Sequence, residues 1–393
     1  MSEWKLKDCC LSISDGDHLP PPKTDSGIPF ITISNIDSTN HIDFGNTLFV
    51  PIEYYEKLDD IRKARPNDII YSVVGSFGKP VLIKDDRKFV FQRHIAILRP
   101  NSEIVDSRFL YYVMLSRDFY MQADTVAIGA AQRTISLSSL RNMKVELPPI
   151  PTQHRIATIL SRYDTLIENS QKQIKLLEEA AQRLYKEWFV ELRFPGHENT
   201  KMVDGLPEGW ERKAVSQLGE YLNGFAFKPS DWHELGRPII KIKEMGNGVG
   251  NDTPRNNGER VPAKYLVKAG DLLFSWSATL MVIVWSGEEG WLNQHLFKVT
   301  PSEGIGREFL LQSLSNAIEE FQNLTTGSTM KHIQRNKLDQ VFVNVPNDEI
   351  MELYNNVAEK VREEILHLSS QIRLLAEARD RLLPRLMGGE MEV

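Results

Sequence analysis

One pattern of apolar residues occurs twice in this chain, 198 positions apart (354 less 156), and nothing else constrains the fold as strongly. In the first copy Ile156, Leu160, Tyr163, Ile167, Ser170, Ile174, Leu177, Ala181, Leu184 and Trp188 step by alternating fours and threes. In the second, Tyr354, Ala358, Val361, Ile365, Leu368, Ile372, Leu375, Arg379, Leu382 and Leu386 repeat the steps. This spacing is the a/d seam of a coiled coil, interrupted in the first copy by Ser170. The stretch from Thr152 to Arg193 holds no Gly or Pro and is rich in Gln, Glu, Lys, Leu and Ala, so it predicts one long helix. Phe194-Pro195-Gly196 then stops it. From Ile156 to Trp188 such a helix rises about 50 Å. A lone seam of that length needs a partner, and the chain carries one. The residues between must bring the chain back before the second helix starts, so the two pack antiparallel.

The duplication extends beyond the helices. Trp4 aligns with Trp210, Gly27–Ile33 with Gly236–Ile242, and Asn67–Ser72 with Gly270–Ser275. Gln92-Arg93-His94 aligns with Asn293-Gln294-His295, and Gly129–Ile135 with Gly327–Ile333. The offset drifts from 206 at the tryptophans through 209, 203 and 201, then holds at 198 from Gly129 onward. Loops tolerate length change cheaply, whereas one residue inserted in a packed seam rotates it by roughly 100°.

Each globular half reads as mixed. Phe30–Ser34, Ile69–Val74, Phe89–Leu98, Leu272–Trp276 and Val341–Val345 predict strands. Ser107–Leu115 and Arg307–Phe321 predict helices, and Gly246–Glu259 a surface loop. Leu147–Pro151 and Val345–Asp348 are stiff hinges into the long helices. The predicted fold class is α+β: two mixed globular domains, 1–150 and 197–346, alternate with helical segments 151–196 and 347–393. The helices form an antiparallel coiled coil, and the whole is an internal repeat with a pseudo-two-fold.

At 393 residues there is room for two to three domains. No apolar run reaches membrane length, and MSEWKLKDCC lacks the apolar core of a signal peptide. The two cysteines are adjacent, Cys9 and Cys10, which excludes a disulfide framework and a CxxC zinc site; a cytoplasmic location is expected. A net charge of −6 argues against a strongly basic coat for nucleic acid but leaves room for a local basic cleft.

No catalytic, cofactor or metal motif emerges. Gly75-Ser76-Phe77-Gly78-Lys79 lacks the spacing and following Ser/Thr of a P-loop, and Gly246-Asn247-Gly248-Val249-Gly250 is not a dinucleotide fingerprint. The nine histidines show no HExxH pattern. His94 and His295 hold equivalent places and read as hydrogen-bonding groups of the core rather than paired bases. Trp188 reads as the plug of the seam, and Glu178, Glu179, Glu187 and Glu191 as a solvated or protein-binding helix face.

Two unlike heads on one helical spacer suit duplex DNA, where a two-fold reader touches half-sites about one helical turn apart. Unlike heads imply an asymmetric site, with the helices setting the gap. Three stretches then bring a family into view: Leu184-Tyr185-Lys186-Glu187-Trp188-Phe189 through Phe194-Pro195-Gly196-His197-Glu198-Asn199, Arg379-Asp380-Arg381-Leu382-Leu383-Pro384-Arg385-Leu386-Met387-Gly388-Gly389-Glu390, and Pro148-Pro149-Ile150-Pro151-Thr152-Gln153. With Asn67–Ile70 and Gly75–Lys79, the chain resembles, over its whole length, the specificity subunit of type I restriction-modification systems. It departs locally at Ser277-Ala278-Thr279, where Gly is expected.

The resemblance implies a non-catalytic subunit whose globular domains are target-recognition domains for double-stranded DNA. It implies two methyltransferase subunits docked on the helical pair, with S-adenosylmethionine bound there and no cofactor in this chain. Restriction or translocating subunits would join, and no membrane is involved. The residues chosen for DNA contact are Gln132, Arg133, Lys331, His332 and Gln334 in the matching loops and Lys241 and Lys243 on the strand Lys241-Ile242-Lys243, since Arg and Lys suit guanine or phosphate and Gln suits adenine. The helix interface is assigned to Ile156, Leu160, Tyr163, Ile167, Ile174, Leu177, Leu184 and Trp188 against Val361, Ile365, Leu368, Ile372, Leu375 and Leu382. A two-headed adaptor that binds proteins is the alternative.

Overall fold

In the computed structural model, residues 2–17, 21–37, 40–75, 77–129, 133–250, 252–324, 333 and 335–391 are described. They divide into two compact units: 1–167 with 374–393, and 168–373. Each unit therefore contains part of both long helices.

In the first unit, Cys10–Asp15, Ile95–Pro100, Ile69–Ser72 and Pro80–Leu82 form, in that order, an antiparallel sheet. A second, three-stranded sheet sets Ile28–Ile31 between Leu48–Val50 and Val90–Phe91, parallel to the latter. Ser2–Lys5 pairs with Lys144–Leu147. The central strand Ile69–Ser72 is wholly buried, which explains why it reads as unbroken apolar sequence. Its side chains alternate between two cores. Ile69 and Tyr71 join Leu98, Phe109, Leu110 and Phe119 on the helical side. Ile70 joins Ile31, Phe91, Ile95 and Ile97 on the other.

The helix predicted at Ser107–Leu115 is present, capped by Asp106, whose carboxylate accepts from the backbone N–H of Arg108 and Phe109. Ser116 caps the next helix, Arg117–Val126.

The second unit repeats this plan. Gly219–Asn223, Leu296–Pro301, Leu272–Ser275 and Met281–Val284 form the antiparallel sheet in the equivalent order. Arg237–Ile240 lies parallel to Gly290–Leu292, and Glu211–Ala214 pairs with Phe342–Val345. Leu272 and Phe274 face the helical core while Leu273 faces the smaller one.

The first long helix spans Ile150–Tyr185 and the second Asp348–Met387; their first residues are again 198 apart. Pro151 sits in the first turn, where its missing N–H costs nothing. Within each unit the two helical segments run antiparallel. In the second, Phe189 meets Tyr354 edge to face, with ring centroids at 4.8 Å, while Arg362 lies further along beside Glu178. In the first, Asp164 bonds Arg379, and Ile156, Ala157 and Leu160 share a core with Leu383 and Leu386.

The structure corrects several expectations. Phe89–Leu98 is two strands joined by a turn at Gln92–Ile95, and the strand at Phe30 ends at Ile31 before a short turn of helix at Ile33–Asn35. The helix from Arg307 breaks after Asn316 and resumes at Ile318–Asn323. Gly246–Glu259 holds the end of a helix and the strand Arg255–Asn256. The tryptophans are not equivalent. Trp4 faces Val145, and its counterpart facing Val343 is Lys213, so Trp210 lies three residues upstream of the matching register. Tryptophan is conspicuous in sequence, but backbone pairing decides the register.

The first helix ends differently from the prediction. After Tyr185 it widens into a π turn, Lys186–Val190, with Glu191 N–H donating to the Lys186 carbonyl at 2.9 Å. Leu192, at φ 57°, already reverses the chain before Pro195. Through this turn the buried face steps by fours, Ala181, Tyr185 and Phe189, leaving Leu184 and Trp188 half-buried at its border.

Candidate nucleic-acid interface

Of the residues chosen for DNA contact, Gln132, Lys331, His332 and Gln334 lie outside the described residues. Arg133 is described, and its guanidinium is engaged. It bonds the Asp124 carboxylate and carbonyl, and it sits 5.4 Å from the centre of the Phe77 ring. Phe77 in turn stacks on Tyr120, with centroids 5.7 Å apart and planes within 8°. The Arg133 carbonyl accepts from Gly75 N–H at 2.9 Å, so Arg133 ties its loop to the sheet end by both main chain and side chain.

Lys241 and Lys243 were expected on a strand. Instead Lys241 is the N-cap of a short helix, Ile242–Asn247, its N–H bonded to Glu244. The strand ends at Ile240 because the buried Glu244 carboxylate captures the next main-chain donor. The Lys241 ammonium lies 4.7 Å from the centre of the exposed Trp232 ring, and Lys243 pairs with Asp252. A cation over an exposed indole is a pairing that phosphates and bases both accept.

His94 and His295 close equivalent turns between two strands. The His94 carbonyl accepts from Val73 N–H at 2.9 Å and that of His295 from Trp276 N–H at 3.3 Å. Burial, and then the charge of Arg93, hold the His94 imidazole below its ordinary pKa. Trp276 lies 5.3 Å from the His295 ring, and its indole N–H donates to Asn223 at 3.0 Å.

Along the helices, Ile156, Leu160, Ile167, Ile365 and Leu368 are buried. Tyr163, Ile174, Leu177, Val361, Ile372, Leu375 and Leu382 are half-buried, as expected of a seam covered by few neighbours. The sequence alone did not reveal the charges that tie the helices to the globular units. In the first unit Asp164 accepts from Arg379 at 2.7 Å and from the Tyr112 hydroxyl, whose pKa burial and the carboxylate raise. In the second, Arg362 donates through Nε to both oxygens of Glu308 at 3.1 and 3.0 Å, with only 5% and 2% of the two residues exposed. Tyr185, its pKa pushed up to about 12 by burial, donates to Ser313.

Gln153 fastens the start of the first helix. Its carbonyl oxygen accepts from Asp106 N–H, and its amide donates to the Ile104 and Pro148 carbonyls. One signal was visible beforehand: Arg379 is a charge at a seam position, and such a charge demands a partner.

This is a duplicated α+β scaffold whose two halves share a backbone plan and differ in the side chains they present. The chain belongs to the family described as the type I restriction modification DNA specificity domain, which matches residues 3–179 and again 207–367. It is 24% identical to the HindI specificity subunit of Haemophilus influenzae, with all of both chains covered. It is 25% identical to the MjaIX specificity subunit of Methanocaldococcus jannaschii over 74% of this chain and 70% of that one. The crystal structure of a type I restriction-modification S subunit from M. genitalium shares the fold, with a TM-score of 0.52 and 16% identity over 98% of this chain and 95% of that one.

Proposed function

We propose that this chain is the DNA sequence-specificity subunit of a type I restriction-modification complex. Each globular unit reads one half of an asymmetric, bipartite site in double-stranded DNA. The observation that carries this reading is the pair of recognition units built on one strand plan, with different side chains at matching positions. A protein with two equal heads would read a palindrome; unlike heads read two unrelated blocks.

Both long helices run unbroken from one unit into the other, which suits them to set the gap between the blocks. Their outer faces would dock two methyltransferase subunits, which supply S-adenosylmethionine and the chemistry on adenine. Restriction or translocating subunits would join that core. No helix of the described residues is long and apolar enough to cross a membrane.

The test is selection from a random duplex pool by this chain co-purified with a methyltransferase subunit. Two short enriched blocks with a fixed unspecified gap are expected. A flat pool from a folded complex would overturn the reading in favour of a protein-binding adaptor.

A further inference from the structure

In both units the chain makes one construction at the point where it steps from the parallel strand pair to the antiparallel sheet. The step is a four-residue turn, Gln92–Ile95 in the first unit and Asn293–Leu296 in the second, closed by a main-chain bond of 2.9 and 3.0 Å. Main chain from elsewhere clamps each turn. Gly16 N–H donates to Ile95 and Asp17 N–H to Phe91; their counterparts Gly224 and Phe225 donate to Leu296 and Leu292. Gln92 and Asn293 N–H donate in turn to Ile31 and Ile240. The clamp is so close that a Cβ on Gly16 would lie 2.2 Å from the Phe91 carbonyl oxygen, and one on Gly224 2.1 Å from that of Asn293.

Every bond in this frame is main chain to main chain, so the side chains at its tip are not needed to hold it. Those side chains change between the copies. The exposed Arg93 gives way to the half-buried Gln294, whose side-chain amide lies 3.4 Å from His295 Nε2, while the histidine beside each is kept. The flanking positions change as well, Asp15 to Asn223 and Val73 to Trp276. Arg133 and Lys243, by contrast, each face a carboxylate.

Resting on the DNA-reading function proposed above, we infer that the two turn tips are specificity-determining positions. Arg93 reads a guanine in one half-site, and Gln294 reads an adenine in the other. A guanidinium fork matches guanine O6 and N7, and a carboxamide matches adenine N7 and N6. Rigid presentation is what such bidentate contacts require, and the clamped turn provides it.

The experiment repeats the pool selection with the full chain and its methyltransferase partner, carrying Arg93→Gln, Arg93→Lys or Gln294→Arg. Arg93→Gln is expected to replace guanine preference with adenine at one position of one block, a change of about five- to a hundred-fold, with the other block untouched. Gln294→Arg should do the reverse in the other block. Arg93→Lys keeps the charge and can still reach guanine O6 or N7 but lacks the planar fork, so it should bind with near-parent affinity and show a weakened guanine preference. A parent complex that selects a bipartite site, with all three variants selecting the same bases, would overturn this inference and leave the specificity function standing. A parent complex that selects nothing would overturn both.

Discussion

Gly16 and Gly224 show how little of a recognition turn is visible one residue at a time. Neither lies in a repeat that the sequence comparison aligned, yet each is where one backbone crosses another too closely for a Cβ. Replacing either with alanine should cost about 1–3 kcal/mol, the usual cost of forcing a group into filled space. Thermal unfolding of Gly16→Ala and Gly224→Ala checks this, and unchanged midpoints would remove the clamp from the account. Arg133 makes the complementary point. Its charge and loop position suggested a base reader, but only the fold brings Asp124 and Phe77 to it, nine and 56 positions away in sequence. The Lys241–Trp232 pair was equally hidden, because the indole comes from a separate loop.

Among the elements, the long helices were the most legible. Alternating fours and threes sustained over so many residues have no other regular solution, and both helices begin at equivalent positions. Their anchors were not legible, because an ion pair joins residues that periodicity treats as unrelated. Glu308→Ala should cost about 3–5 kcal/mol by stripping the buried Arg362 of the carboxylate that its Nε bonds. The Glu308→Met, Arg362→Met double variant should recover most of that stability, since two apolar groups need no partners. Denaturant unfolding of the single and double variants measures it; equal losses in both would mean that packing, rather than charge, holds the joint. At the end of the first helix, the π turn shifts the buried face from the residues an ideal seam selects to Tyr185 and Phe189. A repeat count assumes constant pitch, and the helix does not keep it.

For the whole molecule, the prediction concerns the spacer. One heptad inserted at matching places in both helices adds about 10 Å. At 3.4 Å per base pair the unspecified gap should grow by about three pairs while both blocks stay the same. Pool selection with the lengthened chain reads this directly, and an unchanged gap in an active complex would refute the helices as the spacer. By itself the sequence determined the duplication, the alternation of globular and helical segments, the seams and the family resemblance. Those properties are local or periodic, and a period survives in one dimension. Only the tertiary structure decided that Lys213 rather than Trp210 matches Trp4, that Asp124 holds Arg133, and that Gly16 and Gly224 clamp the turns bearing Arg93 and Gln294. Each depends on which distant backbones meet, and strand pairing and packing set that rather than residue order.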